Sequence, residues 1–197
     1  MENLFLSIGV LSTYEAVLQH QIWRFVSSMF LHAGIVHIFM NMLSLWFVGR
    51  ITEISLGKSA YIIIYFISGI IGGLFSVYTH PSTYGLGASG AIFGVFGALV
   101  GMVIVKRKEL QHQFQDFMKN VGVILLLNLI IGVSFDSVDL VAHIAGLIAG
   151  IIGGFMVAKK PNFLWFYLIV SILFIVIFYN YLYNYFSSFE IVDLNSF

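Results

Sequence analysis

The chain has 197 residues, of which 60% are hydrophobic and only 9% charged, a composition that excludes a water-soluble globular domain and fits a bilayer as solvent. Its nine basic and nine acidic residues balance, which excludes a polybasic nucleic-acid surface as its main business, so no nucleic-acid partner is expected. The absence of cysteine removes disulfides, thiolate metal sites and cysteine nucleophiles together.

Residues 1 to 22 are mixed. Leu4 to Leu11 is apolar but too short to span, and Glu15, Gln19, His20 and Gln21 follow soon after. The opening residues do not read as a removable signal peptide. From Phe25 to Gly49 the chain is apolar apart from His32 and His37, and the spanning part is placed at about 35 to 50. Arg50, Glu53 and Lys58 make a short polar connection. Apolar runs follow at about 59 to 79, 86 to 105, 119 to 135 and 139 to 158, and an aromatic-rich run closes the series at about 162 to 186. Most are about 20 residues, the length of helix that crosses about 30 Å of hydrocarbon. Six spans are expected.

Lys and Arg give the orientation. Arg50 and Lys58, then Lys106, Arg107, Lys108 and Lys119, then Lys159 and Lys160 all fall in connections on one side. The opposite loops, around His80 to Gly85 and Ser134 to Asp139, carry none, and Arg24 alone breaks the pattern. By the positive-inside rule the first group faces the cytoplasm and both termini lie outside. Pro81 and Pro161 sit in connections, where a missing N–H costs little.

Four polar side chains interrupt the spans in one layer. Ser89, within Gly87-Ala88-Ser89-Gly90, lies about three residues into the third span and His143 about four residues into the fifth, roughly 5 and 6 Å from their outer ends. His37 and Asn41 lie in the outer part of the first span, one turn apart on the same face. Below Ser89 run Gly90, Gly94, Gly97 and Gly101; around and below His143 run Ala142, Gly146, Gly150 and Gly154. Such small-residue seams let helix backbones approach closely. A serine and an imidazole on closely packed helices form a base-activated hydroxyl; the alternative reading is a polar contact that glues helices. The Asn41 amide, the His37 imidazole N–H and the Ser89 backbone N–H are candidate oxyanion donors, against the alternative of helix–helix hydrogen bonds. No carboxylate lies inside a span near His143, and Asp136 and Asp139 are in the preceding loop, so a dyad fits better than a triad. His20, His80 and His112 read as solvated. A metal site of His32, His37 and His143 would lack a carboxylate or thiolate to complete it, so neither metal nor other cofactor is expected.

In this order the residues resemble the rhomboid family of intramembrane serine proteases, over about residues 23 to 158. The elements are Trp23-Arg24, then His37 and Asn41, then Gly49, Glu53 and Gly57 spaced by fours, then Gly87-Ala88-Ser89-Gly90, then Ala142-His143 followed by Gly146. The resemblance implies Ser89 as nucleophile, His143 as general base and acid, and His37, Asn41 and the Ser89 N–H as oxyanion donors. It implies that Trp23-Arg24 belongs to an outer loop lying partly in the membrane, with His32 structural there. The five spans from about 35 to 158 then correspond to core helices two to six, and the last to an additional C-terminal helix. The family's first core helix would be missing from this chain, through a late start site or a genuine shortening.

The expectation is therefore an all-α, polytopic helical membrane protein with a rhomboid-like bundle. Residues 1–34 form an outer segment and membrane-associated loop, 35–158 the catalytic core, and 159–197 a further transmembrane helix and outer tail. The resemblance implies a serine endopeptidase of the cell membrane, its site toward the outer face, acting on single-span membrane proteins within the lipid bilayer. Two rivals are an inactive relative that binds or escorts membrane helices, and a transporter, for which midplane polar groups would be expected.

Overall fold

The computed structural model describes residues 9–133 and 139–194. Among the described residues five helices are long and apolar enough to cross a membrane. Helix α1 (Ile35–Leu56) is interrupted by a π-helical turn at Leu45–Gly49. It ends at Gly57, whose φ of 89° suits glycine and starts α2 (Lys58–Thr79) at once. Helix α3 (Ser89–Val133) follows a loop, then α4 (Leu140–Lys159) and α5 (Phe163–Leu194). The turn Lys160-Pro161-Asn162 separates the last two, since proline cannot donate into a continuing helix.

Two boundaries differ from the sequence expectation. The first span runs on to Leu56 rather than ending near residue 50. The third and expected fourth spans are one uninterrupted helix, because the polar stretch from Lys106 to Lys119 contains no glycine or proline and is rich in Lys, Arg, Glu, Gln and Leu, all good helix formers. Charge marks where a chain leaves the membrane, but only a breaker or a cap ends a helix. Residues 134 and 135 of the expected fourth span, and the loop from 134 to 138, lie outside the described residues.

Helix α3 is the centre of the bundle. Val95, Ala98, Leu99 and Val103 on it are fully or almost fully buried, as are Ile64 and Leu74 on the adjoining α2. Its contact with α4 is backbone on backbone. Any side chain at Gly146 would collide with the Gly90 carbonyl oxygen, at Gly150 with that of Gly94, and at Gly154 with that of Ala98. From the other side, a side chain at Gly97 would strike Leu147 O and one at Gly101 Ile151 O. Helix α2 closes on the same pair: a Cβ at Gly72 would stand 2.8 Å from Ala142 O. The small residues thus bring three helices to the closest approach that backbone atoms allow.

The segment before α1 is folded onto this bundle. Leu11 and Gly85 exchange backbone hydrogen bonds of 2.9 and 2.8 Å in an isolated antiparallel bridge, and the Gly87 N–H donates to Ser28 O at 2.9 Å. Arg24 is 5% exposed. Its Nη1 donates to Val10 O at 3.0 Å, its Nε to Gln21 Oε1 at 2.8 Å, and its guanidinium lies 4.9 Å from the Trp23 ring centre. The one cation outside the positive-inside pattern is thus spent on internal contacts. His20 is exposed, in keeping with its solvated reading, and its Nδ1 also lies 2.9 Å from Tyr179 Oη of α5, with its ring beside Tyr183.

Candidate active site

The site begins at a glycine. Gly87 has φ of 117°, a left-handed conformation that side chains disfavour, and a Cβ there would stand 2.9 Å from His37 Nε2. The chain thus reaches Ser89 through a turn that only glycine fits, and Ser89 is the first residue of α3 rather than the third of a longer span. The first helical N–H groups have no intrahelical acceptor. The first bond back is from Ile92 N to Ala88 O, at 2.9 Å, so the Ser89 N–H stands at the positive end of the helix dipole.

Ser89 and His143 meet. The Ser89 Oγ lies 2.7 Å from His143 Nε2, across 54 residues of sequence. His143 is 5% exposed, and its ring stacks on Phe93 with centres 4.4 Å apart and planes 8° from parallel. Phe93 follows Ser89 by one helical turn, so both lie on the α3 face turned to α4. The Nδ1 of His143 is buried and without a hydrogen-bond partner among the described residues. When Nε2 accepts from the serine hydroxyl, Nδ1 carries the ring proton, and no carboxylate receives it.

His37 reaches the turn before Ser89, and Asn41 follows it by one helical turn. His37 Nδ1 accepts from the Ala33 N–H at 3.4 Å, which leaves Nε2 as the protonated nitrogen, on the side of the ring that faces Gly87. Asn41 is buried, and its Nδ2 donates to His37 O at 3.0 Å, using one of its two amide hydrogens. His32 packs edge-on against the His37 ring, 5.1 Å between centres. Both His32 nitrogens are buried with no partner at hydrogen-bond distance among the described residues, and burial holds the pKa below the ordinary 6.5 against a smaller opposing effect of the Phe30 backbone. Among the described residues no three histidine, cysteine or carboxylate side chains gather at metal-binding spacing.

Two contributors escaped sequence reasoning. Phe93 reads as one apolar residue among many, although its place one turn after Ser89 is the available signal. Asp139 caps α4: its Oδ1 accepts from the Ala142 N–H at 2.9 Å and its backbone oxygen from the His143 N–H at 3.2 Å. His80, expected to be solvated, is 3.8 Å from that same carboxylate. An aspartate before an apolar run is a cap signal, visible once the helix start is placed at Leu140.

A helical membrane bundle with a serine hydroxyl hydrogen-bonded to a buried imidazole between two glycine-packed helices defines a narrow class of proteins. The family model described as a rhomboid domain matches residues 19–160. The putative rhomboid protease YdcA of Bacillus subtilis (strain 168) is 36% identical over 71% of this chain and 69% of its own length. Rhomboid protease GluP of the same organism is 37% identical over 68% of the chain and 26% of its own length. RHOMBOID-like protein 1 of Arabidopsis thaliana is 32% identical over 79% of the chain. The chain belongs to the rhomboid family. It spans about 40% of the length of that plant relative and of RHOMBOID-like protein 4.

Proposed function

We propose that the protein is an intramembrane serine endopeptidase that cleaves single-span membrane proteins by a Ser89–His143 dyad. The observation that carries this reading is the 2.7 Å contact between Ser89 Oγ and His143 Nε2. His143 Nε2 takes the hydroxyl proton as Ser89 Oγ attacks the scissile carbonyl carbon. The resulting oxyanion is held by the Ser89 N–H, His37 Nε2–H and the Asn41 amide. His143 then gives its proton to the leaving amine, and water, again deprotonated by His143, hydrolyses the acyl-serine ester. With Nδ1 lacking a carboxylate partner, the imidazolium is supported by the Phe93 ring face through a cation–π contact.

The charge pattern of the connections supports an outer-facing site in the cell membrane, with water entering from that side. The substrate is a helix that unwinds readily near its outer end, because an intact helix keeps its carbonyls in internal hydrogen bonds. A small residue at the cleaved position suits the confined approach to Ser89. The rival within the family is an inactive protein that binds or escorts helices. The presence of both reacting groups at bonding distance, and two Bacillus relatives named as proteases, favour the enzyme.

The test is cleavage of a single-span test substrate by purified, reconstituted protein and by Ser89→Ala. Cleavage by the parent and none by the variant is expected. Equal cleavage by both would remove Ser89 as nucleophile, and binding without cleavage by either would support the escort reading.

A further inference from the structure

Between α4 and α5, floored by Ile71 and Phe75 of α2, runs a groove of about 550 Å3. Its walls are apolar, among them Ile144, Ile148 and Ile152 of α4 and Val170 and Phe174 of α5. Two polar groups touch it. The Tyr167 hydroxyl is already used, donating to Ala149 O at 3.2 Å, and the Ser171 hydroxyl is buried in the wall. The groove follows α4 from Val141 to Met156, a rise of roughly 22 Å, so it is long and apolar enough to take an extended hydrocarbon chain.

One end of this groove is charged. Met156 lies one turn before Lys159 and Lys160, both exposed, and Phe166 stands on the first turn of α5 just beyond them. Lys159 Nζ lies 5.3 Å from the Phe155 ring centre and Lys160 Nζ 5.8 Å from that of Phe163. Neither makes an ion pair among the described residues. No Asp or Glu occurs from Leu140 to Phe189, so nothing in either helix wall neutralises them. Two cations at one end and a long apolar groove are complementary to the two parts of an anionic lipid.

We propose that this groove binds one anionic glycerophospholipid of the cytoplasmic leaflet, an acyl chain lying along α4 and the phosphate on Lys159 and Lys160. This goes beyond the proposed proteolytic site, which lies on the other face of α4 and at the far end from Lys159 and Lys160. A lipid held there ties α5 to the helix that carries His143, filling the gap that the two helices leave.

The experiment incorporates the full chain into nanodiscs of equal phosphatidylglycerol and phosphatidylcholine, extracts it into mild detergent and weighs it by native mass spectrometry. One retained phosphatidylglycerol per chain, at several-fold preference over phosphatidylcholine, is expected. Lys159→Gln with Lys160→Gln should bring that preference close to one. Ile148→Phe and, separately, Ile152→Phe should each lower retention of both lipids several-fold, since both side chains face the groove and are half exposed. Two independent fillings keep the test decisive if one fails to insert. Retention of the two lipids in bilayer proportion by the parent protein would overturn the proposal. So would undiminished retention in the inserted groove-filled variants, which would reduce the effect to surface attraction or place a segment of the chain itself in the groove.

Discussion

The contact between α3 and α4 and the outer half of α1 both carry proposed site residues, yet they are built in opposite ways. Between α3 and α4, glycine faces carbonyl oxygen at Gly146, Gly150 and Gly154, and no space remains for a methyl group. Toward its inner end helix α1 is anchored at Thr52, which is fully buried and whose Oγ1 donates to Val48 O at 2.9 Å and lies 3.3 Å from Val95 O. At its outer end Ile35 is 86% exposed, and Val36 and Phe39 are exposed as well. The proposed nucleophile and base are thus fixed by rigid packing, and the side chains proposed for the oxyanion by a helix whose outer end is more exposed. Packing defects in the seam should damage the nucleophile itself. Losses on α1 should spare the nucleophile and weaken only the hold on the oxyanion it creates.

The largest effect is expected at the base. Positioned general acid–base groups contribute about 10²- to 10⁴-fold, so His143→Ala should slow cleavage by that factor and suppress labelling of Ser89 by a fluorophosphonate to match. Full labelling in a folded His143→Ala protein would show that the serine reacts without the imidazole. On α1, Asn41→Ala should lower turnover by about 10² to 10³, the usual cost of one oxyanion donor. Its unfolding free energy should stay within about 2 kcal/mol of the parent, because a membrane hydrogen bond rarely contributes more. The reverse result, lost stability with turnover per folded molecule intact, would make Asn41 a structural residue and erase the contrast between the two regions.

Much of the seam is legible in the sequence, since glycines at intervals of four beside Ser89 and His143 form a visible pattern. The pairing of those two residues follows from matched depth. Features set by backbone conformation or by distant partners are hidden there. The start of α3 at Ser89 depends on the φ of Gly87, and the bridge from Leu11 to Gly85 joins segments with no shared pattern. The stacking of Phe93 on His143 depends on a face that becomes defined only once the helices pack. The continuity of α3 past Lys106 is hidden because a run of charge suggests a helix end. A polar stretch without breakers gives no such end.

The orientation of both regions is open to a labelling test that the absence of native cysteine makes clean. An impermeant thiol reagent added to intact cells should modify a cysteine placed at the exposed Thr83 and spare one at the exposed Glu109. The opposite pattern would turn the bundle over and move the site to the cytoplasmic leaflet. The smallest expected effect lies in the segment leading into α1. Burial lowers the His32 pKa below 6.5, so below about pH 6.5 the unfolded chain binds a proton that the folded one resists, and stability falls as pH falls. The melting temperature of the parent should decline more steeply from pH 7 to 5 than that of His32→Asn. Parallel curves would mean that His32 is protonated as easily in the fold as outside it.

The central claim is that backbone contact between α3 and α4 is what makes Ser89 reactive, and Gly146→Val tests it most directly. Valine there must displace the Gly90 carbonyl one residue after Ser89, and a displacement of about 1 Å costs about 10²-fold in rate. The measurement is the rate of fluorophosphonate labelling of Ser89 in membrane-inserted protein, parent against variant. A fall of about that size with insertion intact is the predicted result, and an unchanged labelling rate in well-inserted Gly146→Val protein would contradict the account.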